Sequence, residues 1–390
     1  MADIKWTKEE VLELHRKLRG KVGIEGKSPI NSVKDLSLLY TPGVADACRE
    51  IAANKELAYE YTMKSNSVAI VTDGTRVLGL GNIGPEAALP VMEGKALIMK
   101  QFGNIDAFPI CLRTTDPDKI VEAVRHIEPV FGAINLEDIE TPKVFDIEER
   151  LTEGAEALGI PVFHDDQHGT AIVVLAALIN ALKVVGKSKE NIRVAVVGAG
   201  SAGHGIAKLL IAYGVRDLVV FDSKGALTNL RTDLDLRKME LANITNESGF
   251  NDSIGKFTGA DVLIAASKTG SVPHETLRGM KDDNCRIIFS LSNPNPEIPP
   301  EVAQSFGVRI YATGRSDLPN QVNNSLCFPG FLRALLDLRV RKITNKMKIA
   351  AAEAIAGCVA EEELRETKIV PEIFDTNIVP AIKEKVAGSL

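Results

Sequence analysis

The feature that most restricts the fold is a glycine turn placed between a strand and a helix. Residues 192–197 read IRVAVV, an apolar run of strand length, and the next six are Gly198, Ala199, Gly200, Ser201, Ala202 and Gly203. Behind them Ile206, Leu209 and Leu210 fall on one helical face. A strand turning into a helix through GxGxxG is the dinucleotide fingerprint. Gly198 serves the tight turn, Gly200 admits the pyrophosphate to the backbone, and Gly203 lets helix and strand pack. The phosphates sit on the helix N-terminus, where Ser201 and Ala202 lie. The next apolar run, 218–221, ends at Asp222, nineteen residues past Gly203. An acid there binds a ribose 2′-hydroxyl, which favours NAD, whereas the adjacent Lys224 is a base suited to the 2′-phosphate of NADP. The same pattern at Gly79, Gly81 and Gly84 lacks a following strand that ends in an acid, and reads as a strand-to-helix turn.

Short apolar runs alternate with helical patterns twice along the chain. Strands are expected at 67–72, 77–80, 107–112, 133–136 and 161–163, with helices at 87–102, 118–128 and 147–158. A loop from Asp166 leads into a long buried helix, and strands resume at 192–197, 218–221, 262–265, 287–291 and 310–312. The fold class is therefore α/β with two domains. The first is a helix-rich α/β unit over 1–165. The second is a Rossmann-type, doubly wound parallel sheet over 166–335, and a helical tail over 336–390 packs on both. Near the start, Thr7 and Glu10 form a capping box for a helix carrying Val11, Leu12, Leu14 and Leu18.

Composition narrows the function. A net charge of −6 argues against nucleic acid as a partner. No apolar signal segment opens the chain, and the apolar stretch 169–182 is short for a membrane span. Five scattered cysteines without a CxxC suit a reducing cytoplasm.

Two acidic pairs follow apolar runs. Glu137-Asp138 follows 131–136, and Asp165-Asp166 follows 160–163. Ligands of open parallel sheets bind at the carboxyl ends of strands. If these strands are neighbours, the acids converge and call for a hard cation, Mg²⁺ or Mn²⁺. Helix capping or solvated charge is the plainer account of each pair. His164 and His168 flank the second pair as alternative ligands or as hydrogen-bonding supports. Elsewhere Tyr40 precedes a Thr-Pro-Gly turn, Lys95 lies in an apolar helix, and Arg76 could clamp a carboxylate.

Taken together these segments resemble the malic enzyme family in its short prokaryotic form. The matching motifs are LYTPGVA (39–45), VTDGTRVLGLGNIG (71–84), EGKALI (93–98), INLEDIE (134–140), FHDDQHGTA (163–171), VGAGSAG (197–203), LSNPNPE (291–297) and NNSLCFPG (323–330). The resemblance implies that Tyr40 is the general acid and Lys95 the general base. It implies that Arg76, Asn293 and Asn324 hold substrate, with Asn293 also beside the coenzyme. It makes Glu137, Asp138 and Asp166 the metal ligands and Asp165 their neighbouring acid. The implied reaction is oxidative decarboxylation of L-malate to pyruvate by NAD⁺ or NADP⁺ with Mg²⁺ or Mn²⁺, and oxaloacetate decarboxylation is a companion activity. The implied assembly is a homodimer or higher homo-oligomer, with Tyr40 entering the partner's site. Large eukaryotic forms read FNDDIQGTA, so His164 and His168 depart from them without replacing a ligand. A malolactic conversion, an amino-acid dehydrogenase and a non-catalytic NAD-sensing module are the competing readings.

Overall fold

A computed structural model describes residues 6–281 and 285–390; residues 1–5, part of the charged opening stretch, lie outside it. Among the described residues, helices α1 (Lys8–Leu18), α2 (Val33–Leu39), α3 (Val44–Ala53) and α4 (Ala58–Tyr61) precede the first strand. They are followed by β1 (Ser67–Thr72), α5 (Pro85–Gly103), β2 (Asp106–Cys111), α6 (Pro117–Ile127), β3 (Ala133–Leu136), α7 (Lys143–Thr152) and β4 (Val162–His164). These four strands form one parallel sheet in the order β2-β1-β3-β4. Both faces are covered, so the strands are apolar on both sides. Val68 and Ile70 of β1 join Met92, Ala96 and Met99 of α5, while Ala69 and Val71 join Ile120 and Val124 of α6.

Helix α8 (Asp165–Val185) then leads to the second sheet: β5 (Arg193–Val197), α9 (Ser201–Tyr213), β6 (Asp217–Asp222), β7 (Gly225–Ala226), α10 (Leu236–Ile244), β8 (Val262–Ala265), α11 (His274–Gly279), β9 (Ile287–Ser290), α12 (Pro300–Ser305) and β10 (Ile310–Thr313). Its order is β10-β9-β8-β5-β6-β7, parallel except for β7. The order reverses beside β5, and that crevice is the dinucleotide position of doubly wound sheets. The chain ends with α13 (Phe328–Asp337), α14 (Asn345–Gly357) and α15 (Ile378–Ala387). One continuous apolar core joins residues of both sheets to α5, α8, α9, α13, α14 and α15. Buried Asn180 of α8 donates to the carbonyls of Ala356 and Ile369, which fastens the tail to the centre.

Several boundaries differ from the sequence expectation. Residues 77–80 form no strand. They make a turn in which Val77 N–H donates to the Gly81 carbonyl, with Gly81 and Gly84 at positive φ. The expected loop at Asp166 is absent, because α8 begins at Asp165, the residue after β4 ends. The helix expected at 147–158 starts earlier, at Lys143, and stops before Gly154, whose φ of 74° leaves the helical region. Helix α8 is long and apolar enough to cross a membrane, but most of that stretch is buried against α9 and α14 inside the protein. The capping box of Thr7 and Glu10 is formed as expected. None of α1–α4 buries a residue, and Leu14, Leu18, Val33, Leu38 and Leu39 stand exposed.

Candidate active site

Strand order brings the two acidic pairs together. β3 and β4 are parallel neighbours, with Leu136 opposite His164. Glu137 and Asp138 leave the end of β3 beside Asp165 and Asp166, the first residues of α8. One carboxylate oxygen each from Glu137, Asp138 and Asp166 lies within 4.8 Å of the others. Asp138 N–H donates to Asp166 Oδ2 at 3.0 Å, and Asn135 Nδ2 donates to Glu137 Oε2 at 3.0 Å. Asp138 Oδ2 is buried without a protein partner. Burial, and then the repulsion of Asp166 and Glu137, pushes the Asp138 carboxyl up to about 8. Burial pushes Glu137 up to about 7 although Lys95 opposes it. A crowded, all-oxygen donor set with an unused lone pair suits a hard divalent cation better than Zn²⁺.

Lys95 is the positive member of this cluster. A lysine on an apolar helix ordinarily snorkels to solvent, yet Lys95 is only 6% exposed. Its ammonium pairs with Asp165 and with Glu137 Oε2 at 2.5 Å, and lies 4.5 Å from the centre of the Phe328 ring. Burial alone would depress its pKa, but Asp165 and Glu137 together outweigh that and raise it. Asp165 is fully buried and also accepts from Asn324 Nδ2 at 2.5 Å. Burial lifts its carboxyl to about 6, with Lys95 limiting the rise. Asp165 thus faces Lys95 and Asn324 and stands outside the three-acid group.

Arg76, Asn293 and Asn324 line one groove with Lys95 and the acids. A cleft of about 630 Å³ is bordered by Arg76, Lys95, Glu137, Asp138, Asp166, Asn293 and Asn324. A second hollow of about 670 Å³ shares Arg76, Asp166 and Asn293 and continues to Ala202 of the glycine turn. The Arg76 loop is tied to the acids, since Arg76 N–H donates to the Asp138 carbonyl at 3.0 Å. In the turn, a Cβ on Gly198 would stand 2.3 Å from the Ala266 carbonyl oxygen, and one on Gly203 would stand 1.8 Å from the Gly198 carbonyl oxygen. A Cβ on Gly200 would meet open space. Packing therefore requires the outer glycines, and Gly200 faces the room a pyrophosphate needs. Ser201 Oγ is buried beside it without a partner.

Asp222 ends β6 as expected, but its carboxylate is already engaged. Arg231 donates to both oxygens at 2.8 and 3.1 Å, and Lys238 donates at 3.0 Å. Burial would raise its pKa, but these bonds hold it down at about 2. Lys224, the base favoured by sequence proximity, pairs with Asp233 instead. His164 and His168 turn away from the acids. His168 meets Glu148 at 2.5 Å and His164 lies 3.5 Å from the same carboxylate, so they support and do not ligate. Tyr40 is 65% exposed at the end of α2 and does not border the cleft. His15 and Lys21, which no motif had marked, do border it.

The sequence matches the family model described as malic enzyme, NAD binding domain, over residues 167–388, and that described as malic enzyme, N-terminal domain, over residues 20–117. The chain belongs to the malic enzyme family. A bifunctional malic/malolactic enzyme of Bacillus subtilis is 52% identical over 97% of this chain and 92% of its own length. An NAD-dependent malic enzyme of Geobacillus stearothermophilus is 50% identical over 94% of this chain and 76% of its own. An NADP-dependent malic enzyme of Halomonas elongata is 43% identical over 93% and 84%. The crystal structure of an NAD-dependent malic enzyme from Thermotoga maritima superposes with a TM-score of 0.91 at 46% identity, covering 97% of this chain and 98% of that one. Membership makes this malic enzyme a nicotinamide-dependent, decarboxylating oxidoreductase, with the Rossmann-type domain as its dinucleotide module.

The raised carboxyls set a pH signature. The native state binds protons at Glu137 and Asp138 that the unfolded chain releases near its ordinary carboxylate pKa. Metal-free stability therefore falls as pH rises from about 4 to about 8. Calorimetry in chelator should show Tm declining across that range, with the gain on adding Mn²⁺ greatest at the alkaline end. A Tm independent of Mn²⁺ at pH 8 would contradict the cation site.

Proposed function

We propose that this malic enzyme converts L-malate and NAD⁺ or NADP⁺ to pyruvate, CO₂ and the reduced coenzyme, using Mg²⁺ or Mn²⁺ held by Glu137, Asp138 and Asp166. The observation that carries the reading is Lys95, wedged between Asp165 and Glu137 where the acid cluster meets the groove from the glycine turn. The bound cation supplies Lewis-acid polarisation of substrate oxygens. Arg76 clamps a substrate carboxylate, and the Asn293 and Asn324 amides orient the chain of the acid. Lys95, its pKa no longer held up by Glu137 once a bound cation takes that charge, accepts the C2 hydroxyl proton in its neutral form as hydride leaves C2 for the nicotinamide. The C4 carboxylate departs as CO₂, leaving enolpyruvate. Tyr40 protonates C3 to give pyruvate. The test is turnover with L-malate and Mn²⁺, following absorbance at 340 nm with each coenzyme and assaying pyruvate. No pyruvate with either coenzyme sinks the reading.

Two refinements follow from the geometry. Tyr40 stands away from its own cleft on a segment whose apolar side chains are uncovered, so we infer a homodimer in which that segment serves the partner's site. A mixture of inactive Tyr40→Phe and inactive Lys95→Ala chains should then regain up to about a quarter of native turnover after subunit exchange, by random pairing. No recovery despite proven exchange would place both groups in one chain. We favour NAD as coenzyme because Asp222 ends β6, where an acid is placed to accept from a ribose 2′-hydroxyl. Asp222→Ala frees Arg231 and Lys238 for a 2′-phosphate and should move the kcat/KM ratio toward NADP by about tenfold. An unchanged ratio would remove Asp222 from coenzyme choice. The likeness to the malic/malolactic enzyme supports a second reading, in which pyruvate is reduced to lactate before release. A lactate assay separates the two.

A further inference from the structure

One cation of the cleft has no part in the reaction above. Lys21 follows α1, is half-buried, and borders the same cleft as Arg76, Lys95 and Asp166. Two bonds fix it against α5. Its backbone N–H donates to Glu93 Oε2 at 3.3 Å, and its ammonium donates to the Pro90 carbonyl at 2.7 Å. Among the described residues its ammonium has no carboxylate partner within 4 Å, unlike Lys95. The ammonium lies over Gly94 of the same helix, where a Cβ would stand 3.6 Å away, at ordinary contact distance.

Charge balance says what the ammonium is for. Glu137, Asp138, Asp165 and Asp166 face Lys95 and Arg76 in the cleft. A divalent cation would bring this set to neutrality. A dicarboxylate then adds two negative charges, and the oxidised nicotinamide returns only one. A monocarboxylate would need no further cation. We propose that Lys21 is a specificity-determining residue, its ammonium facing the substrate carboxylate that Arg76 does not hold, so that dicarboxylic 2-hydroxy acids are preferred over monocarboxylic ones. This rests on the malate reading above. A localised positive charge also draws dianions into the cleft, and salt screens that attraction.

The test compares full-length enzyme with its Lys21→Met, Lys21→Gln and Lys21→Arg forms. Wild-type turnover of L-malate is measured first, and its absence would defeat the malate reading, not the role of Lys21. Succinate and lactate serve as dicarboxylate and monocarboxylate probes, their binding read by inhibition and by ligand-induced Tm shift, which needs no turnover. Lys21→Met and Lys21→Gln should raise the malate KM and weaken succinate by about tenfold, leave lactate unchanged and keep kcat within about threefold. Lys21→Arg should restore malate KM, and the salt dependence of kcat/KM should flatten in the neutral forms. Unchanged malate and succinate affinity, equal weakening of succinate and lactate, or a failure of arginine to restore KM would each overturn the proposal.

Discussion

Asp166→Ala should lower kcat with L-malate by at least about a thousandfold at saturating Mn²⁺, the loss of some 4 kcal/mol of transition-state stabilisation. The variant removes one of three acids whose oxygens converge within 4.8 Å, and it removes the acceptor of the Asp138 N–H bond. Two acids remain, so the cation binds more weakly and loses the carboxylate that fixes its place beside the substrate. A structural control separates chemistry from folding. Metal-free Asp166→Asn should melt above the metal-free wild type at pH 8, because one source of repulsion on Asp138 is gone. Loss of function together with a gain of stability marks a site that folding tolerates for the sake of its ligand. Full wild-type turnover in excess chelator would defeat the cation assignment.

Lys95→Ala should lower kcat by about 10² to 10⁴, the usual contribution of a positioned general base. Lys95→Arg should not recover it, because a guanidinium stays protonated and cannot accept the hydroxyl proton. Small primary amines should restore part of the activity in the alanine form by entering the space beside Phe328. Removing the ammonium also leaves buried Asp165 and Glu137 without their counter-charge, so Tm in chelator should fall. Turnover is therefore read on protein shown to be folded with Mn²⁺ present. An alanine form that retained more than a tenth of wild-type kcat would exclude Lys95 as the base.

The parts of the site that were legible in the sequence are those where a local rule fixes position. Gly198 and Gly203 are demanded by the close approach of backbone to backbone, which no other residue allows. The acidic pairs at strand ends were visible for a similar reason, because apolar runs announce buried parallel strands. Their convergence was conditional on the adjacency of β3 and β4, a long-range fact outside any window of residues. The burial of Lys95 was hidden because α5 is apolar on most sides, so periodicity does not say which side meets the core. The reach of Arg231 to Asp222 was hidden as well. It crosses an irregular stretch where no spacing rule applies, and proximity in sequence pointed to Lys224 instead. The 77–80 segment failed as a strand because apolar side chains flanked by glycines satisfy a turn equally well.

The junction of β4 with α8 has one more consequence. No connecting loop separates them, and Asp165 and Asp166 ride on the first turn of the helix whose body lies in the centre of the protein. Both carboxylates are thus placed when the chain folds, and their entropy of ordering is spent then and not at each catalytic cycle. A ligand arriving at this end of the groove meets a preorganised surface, so its binding energy remains available for the reacting bonds.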